Sequence, residues 1–95
     1  MNAPARTKAT ANLSLGQIER AAELRELIHA QTYFIGIYAN IVADFAEAGD
    51  DAGISYSLEK VALYTKTALS LRLDLEAIRR ETKSLEALAF GNAQR

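Results

Sequence analysis

Few residues in this chain have the chemistry of a catalytic or metal site, and they are scattered. His29 is the single histidine, and Glu26 precedes it by three positions. That Glu-x-x-His spacing is the one di-iron carboxylate bundles aim inward from their helices. A metal site needs three or four ligands, and the second half of the chain has no matching motif. His29 also falls outside the apolar positions around it, so it reads as a surface histidine. Glu19, Glu23 and Glu26 share one helical side, where acids near a helix start interact well with its dipole. Asp50 and Asp51 lack the alternating oxygen ligands of a calcium loop and read as turn or capping residues. No metal and no cofactor is expected.

Arg72, Arg79, Arg80 and Lys83 form a basic stretch interleaved with Asp74, Glu76, Glu81 and Glu86. Arg72, Arg79 and Lys83 can share one stripe, helped by Arg6 and Lys8. Doubled across a dimer, that stripe would make a track for a nucleic-acid backbone. No helix-turn-helix spacing accompanies it, and net charge is −1. A solvated, salt-bridged helix face is preferred, with a nucleic-acid-associated regulator as the alternative. The chain holds no nucleophile elbow, glycine-rich phosphate loop or zinc spacing. It is therefore expected not to be an enzyme, with no catalytic residue assigned.

The elements around these residues are easier to read. The 95 residues make one domain. The one proline is Pro4, and good helix formers dominate after it. An all-α chain follows. Ser14 with Gln17 has the form of a capping box, and Leu13 with Ile18 that of a hydrophobic staple. These place a first helix over about 15–48, after a tail of residues 1–13. Gly49 is read as its left-handed C′ residue. Gly49-Asp50-Asp51-Ala52-Gly53 forms the turn. A second helix over about 54–90 is capped by Asp51 or Ser55 and stopped by Gly91. Residues 92–95 form a short tail. So short a turn makes the two helices antiparallel neighbours.

In the first helix Leu24, Leu27, Gln31, Phe34, Tyr38, Ile41 and Phe45 follow a heptad register, with Ile28, Ile35 and Val42 directly beside it. In the second the register is Ile54, Ser57, Val61, Tyr64, Ala68, Leu71, Leu75, Ile78, Thr82, Leu85 and Ala89. A turn centred on Asp51 would set Tyr38 against Tyr64, Phe34 against Ala68, Phe45 against Ser57 and Leu27 against Leu75. Gln31 is a polar residue within the core register, a type that can fix register and oligomeric state.

From Leu27 to Ala43 there is no charged residue, and from Val61 to Leu71 only Lys66. The hairpin thus carries an apolar belt wider than one partner helix can cover. Exposed apolar patches of several hundred Å² are normally contact sites. The economical solution is a homodimer of hairpins forming a four-helix bundle. Its contact residues, for itself or for an unidentified protein partner, are expected among Tyr33, Gly36, Ile37, Ala39, Leu58, Leu69 and Leu73. Tyr33 and Tyr56 supply apolar area with a polar tip. Gly36, Ala39 and Ala43 allow close helix approach. The expected role is a protein-binding regulator, adaptor or chaperone.

Absence of cysteine is compatible with a reducing compartment. Residues 1–12 lack the apolar core of a secretory signal, so a cytoplasmic location is expected. No run reaches the ~18 to 20 apolar residues of a membrane-spanning helix. Gln31, Thr32 and Asn40 interrupt the nearest one.

Overall fold

The computed structural model describes residues 3–93, with side chains from 15 to 88. Two helices, α1 (Ala3–Ala48) and α2 (Asp51–Ala93), form an antiparallel hairpin, and no strand is present among the described residues. The all-α hairpin is thus the fold that composition and spacing predict.

Both helices are longer than their local signals indicate. α1 begins at Ala3 rather than near Leu15. Alanines at 3, 5, 9 and 11 favour helix. Pro4 falls in the first turn, where backbone N–H groups have no intrahelical acceptor and a missing donor costs little. Ser14 therefore lies within the helix and does not cap it. The Leu13 and Ser14 side chains lie outside the described residues. α2 likewise passes through Gly91 to Ala93. A glycine weakens a helix by about 1 kcal/mol but leaves its backbone bonds intact. The extreme ends of the expected tails, 1–2 and 94–95, lie outside the described residues.

The connection is two residues, Gly49 and Asp50. Gly49 has φ 69°, the left-handed conformation glycine adopts without a Cβ clash. The Gly49 N–H donates to the Ala46 carbonyl at 3.2 Å, and the Asp50 N–H donates to the Phe45 carbonyl at 2.9 Å. This pair of bonds is a Schellman closure. Asp50 then starts the next helix. Its carbonyl accepts from the Ile54 N–H at 3.0 Å, and its Oδ1 accepts from the Gly53 N–H at 3.0 Å. The cap is therefore Asp50, not Asp51 or Ser55. Because Asp50 both closes α1 and opens α2, the five-residue turn shrinks to two.

Gly53 consequently belongs to the first turn of α2. A Cβ there would stand 2.5 Å from Phe45 Cδ1 and Cγ. The Phe45 ring lies on the bare backbone of Gly53.

The α2 register is the one the sequence shows. Ser57 is fully buried, and Val61, Tyr64, Ala68, Leu71, Leu75, Ile78, Thr82 and Leu85 are half-buried. The α1 seam runs through Gln17, Ala21, Leu24, Ile28, Gln31, Ile35, Tyr38, Val42 and Phe45, in alternating steps of four and three. It takes Leu24, Gln31, Tyr38 and Phe45 from the expected stripe and Ile28, Ile35 and Val42 from the stripe beside it, and it extends through Ala21 and Gln17, which belong to neither. Leu27 and Phe34 are left 44% and 40% exposed. Tyr64 stacks on both Phe34 and Tyr38, at ring centroid distances of 5.1 and 5.8 Å. It inserts between two residues one turn apart, as a knob into a hole. The Tyr38–Tyr64 pair is the one the sequence predicts, and Phe34 also meets Tyr64. Toward the open end, Gln17 Nε2 donates to Glu81 Oε2 at 3.1 Å.

Extents of 72 × 20 × 13 Å describe a layer one helix thick. The radius of gyration is 21.1 Å, against about 12 Å for a compact chain of this length. Among the described residues, the only buried apolar residues are Ala21 and Leu24.

Candidate protein-interaction surface

A single-layer hairpin has two broad faces. Ile18 and Arg25 of α1 line one shallow groove with Arg79, Lys83 and Glu86 of α2, which shows which flanks share a side. Steps of seven stay on one flank of a helix. Arg25 therefore continues through Thr32 and Ala39, with Gly36 and Ala43 alongside. Arg79 continues through Arg72, Thr65 and Leu58, and Lys83 through Glu76, Leu69 and Ala62. This first face has an apolar middle built from leucines on α2 and small residues on α1. Leu58 and Leu69 are 50% and 48% exposed, and nothing lies within 4 Å of the position a Gly36 Cβ would take.

The opposite face carries Leu27, Phe34 and Ile37 of α1 with Tyr56 and Leu63 of α2, all substantially exposed. Lys60 Nζ lies 5.4 Å from the centre of the Tyr56 ring, within cation–π range.

The expected contact residues therefore divide. Gly36, Ala39, Leu58 and Leu69 come together on the first face, and Ile37 belongs to the other. Tyr33 and Leu73 lie on the outer edges of their helices, roughly opposite the seam. Tyr33 leans its ring edge-on toward Phe34 at 5.9 Å. Ile18, Leu27, Phe34 and Leu63 were not among the expected contacts. Ile18 read as a staple residue, and Leu27 and Phe34 as core. Leu63 stands outside the α2 register.

Arg72, Arg79 and Lys83 do share one flank of α2. Arg72 Nε pairs with Glu76 Oε1 at 3.6 Å, an exposed pair worth little stability. Glu86 shares the groove, so the stripe is basic but partly neutralised. The Arg6 and Lys8 side chains lie outside the described residues. His29 is exposed, and among the described residues no three His, Asp or Glu side chains converge as metal ligands. No described helix is long and apolar enough to cross a membrane.

The surface of the chain totals 7430 Å². A compact monomer of 10.4 kDa would expose about 5,400 Å², leaving an excess of about 2,000 Å². An excess of that size matches what one partner contributes to a large homodimer interface. No protein-family model, no curated protein and no solved structure matches this chain.

Proposed function

We propose that this chain is a non-enzymatic interaction protein. In this reading the hairpin covers its exposed apolar belt with other helices, its own copy first, and the assembled bundle regulates, escorts or scaffolds a protein partner. The surface excess is the observation that carries the reading. A hairpin with only two covered apolar residues among those described has too little buried area to offset the entropy of ordering its chain. A partner helix supplies the missing burial by helix-on-helix packing.

Replacing Leu58 and Leu69 together with glutamate tests this. Both are about half exposed, so a lone hairpin would tolerate the change within about 0.5 kcal/mol. The interaction reading expects the oligomer to split, with loss of helix signal in proportion to the bundle's share of stability. Unchanged mass and unchanged melting would refute the use of this face.

The clustering of Arg25, Arg79 and Lys83 around one groove favours a second reading, a nucleic-acid-associated regulator. It expects a DNA or RNA probe to be retarded at low salt, with steep loss of binding as salt rises. Absence of any shift at low salt would dispose of it.

A further inference from the structure

We infer that a second copy of this chain packs its α1 antiparallel against α1 on the face carrying Leu27, Phe34 and Ile37, about a two-fold axis level with Thr32. This rests on the interaction reading above and specifies its first contact.

A second stripe selects the face. Beside the seam that meets α2, α1 carries another run in three-four steps. Leu27, Ala30, Phe34, Ile37 and Ile41 fill its middle, with Arg20 and Glu23 at one end and Asp44 at the other. Such a stripe packs a second helix as the seam packs α2. Leu27, Phe34 and Ile37 are left exposed by α2. The opposite flank of α1, through Arg25, Thr32, Gly36 and Ala43, holds no large apolar residue between Ala22 and Ala46.

The same stripe selects the occupant, because it complements its own reverse. In the register centred on Thr32, Arg20 meets Asp44 of the second copy, Leu27 meets Ile37, and Phe34 meets the small Ala30. Two-fold symmetry makes each match twice. Glu23 meets Ile41 toward the end of the stripe, where Arg20 of its own chain already holds it at 3.0 Å. Sliding by one heptad either way would set Asp44 on Leu27 or Glu23 on Phe34. Parallel copies in register would set Arg20 on Arg20, Glu23 on Glu23 and Asp44 on Asp44.

The α2 flank of this face gives the axis independently. Glu81 and Ala77 line one groove with Gln17, and steps of seven from Glu81 lead to Asp74, Thr67 and Lys60. Gln17 faces Thr82 across the hairpin. Thr32 and Thr67 lie equally far from those two residues along their helices, so they are level. Lys60 and Asp74 lie equally far on either side of Thr67. The axis that joins Arg20 to Asp44 thus also brings Lys60 to the level of Asp74 of the second copy. At the outer edge the register brings Glu19 near Glu47 of the second copy, a like-charge contact open to water.

The chain has no cysteine, so introduced thiols report only designed contacts. Arg20 and Asp44 are separated by about 36 Å along α1, far beyond disulfide reach within one chain. The double variant R20C/D44C is therefore expected to form covalent dimers under mild oxidation far faster than either single variant. A rate no greater than that of the single variants would overturn the pairing. Rapid self-linking of R20C or D44C alone would assign parallel copies and overturn it as well.

Sedimentation gives a second readout. I37E places a carboxylate against Leu27 of the second copy and is expected to weaken dimerisation about tenfold; wild-type affinity would overturn the choice of face. E47K turns the like-charge contact with Glu19 into an opposite-charge one and is expected to tighten the dimer about threefold; no tightening would overturn the register. Leu58 and Leu69 lie on the other face, open to the further helices of the interaction reading, so the splitting expected of their replacement stops at this dimer. Splitting to single chains would move the self-contact to that face and overturn the inference. A monomeric wild-type chain would instead defeat the interaction reading on which this inference stands.

Discussion

Adding one methyl group at Gly53 tests the hairpin's tightest contact. The new Cβ would stand 2.5 Å from Phe45 Cδ1 and Cγ and 2.7 Å from Cε1. Cγ is anchored directly to the Phe45 Cβ, so the ring cannot swing clear as a flexible side-chain tip would. Phe45 or the first turn of α2 has to move. Overpacking of this kind costs about 1 to 3 kcal/mol, while alanine in place of glycine returns up to about 1 kcal/mol of helix propensity. The net expectation for G53A is a loss of about 1 to 2 kcal/mol. At roughly 4 to 8 °C per kcal/mol for a domain of this size, the melting point should fall by about 5 to 15 °C. Gly16 is the internal control, because nothing lies within 4 Å of its hypothetical Cβ. G16A should stabilise by about 0.5 to 1 kcal/mol. Thermal and urea melts followed by circular dichroism read both variants. In a double-mutant cycle, F45L should remove much of the G53A penalty. If G53A stabilises the chain as G16A does, Phe45 does not lie on Gly53 and the packing described at the turn is wrong.

Two further outcomes follow from the same hairpin. The Ser57 Oγ is buried without a hydrogen-bond partner, so S57A should be neutral or stabilising by up to about 1 kcal/mol in urea melts; a loss above that would reveal a partner for the hydroxyl. Asp50 Oδ1 caps α2 through the Gly53 N–H, so D50A should cost about 1 kcal/mol, whereas D51A should cost only a few tenths; equal losses would remove the cap assignment.

Fold class was legible because it rests on strong, local signals. A chain free of proline after position 4, rich in alanine and leucine, has few alternatives to helix. Gly49 was readable as a left-handed terminator, since glycine is the residue that reaches φ 69° without strain. The second cap was not, because three consecutive polar or small candidates surround it. The bonds that Asp50 accepts from the Ile54 and Gly53 N–H groups decide which of them begins α2.

The α1 seam illustrates a different limit. Two adjacent apolar stripes compete, and periodicity alone does not say which one faces α2. The partner helix decides, through Tyr64 inserting between Phe34 and Tyr38. The α2 register, with one dominant stripe, was legible from Ile54 to Leu85, and the Ala89 side chain lies outside the described residues. For the candidate surface, the sequence gathered residues by helix and by apolarity. It held no information on which flank of α1 shares a side with which flank of α2. That is why Ile37, Tyr33 and Leu73 separate from Leu58 and Leu69 once the two helices are placed together.

Sedimentation equilibrium of the wild-type protein at micromolar concentration addresses the association claim most directly. The expected result is a folded species of twice the 10.4 kDa chain mass or a higher multiple, whose helix signal weakens on dilution. A fully helical, cooperatively melting species at the single-chain mass would contradict it.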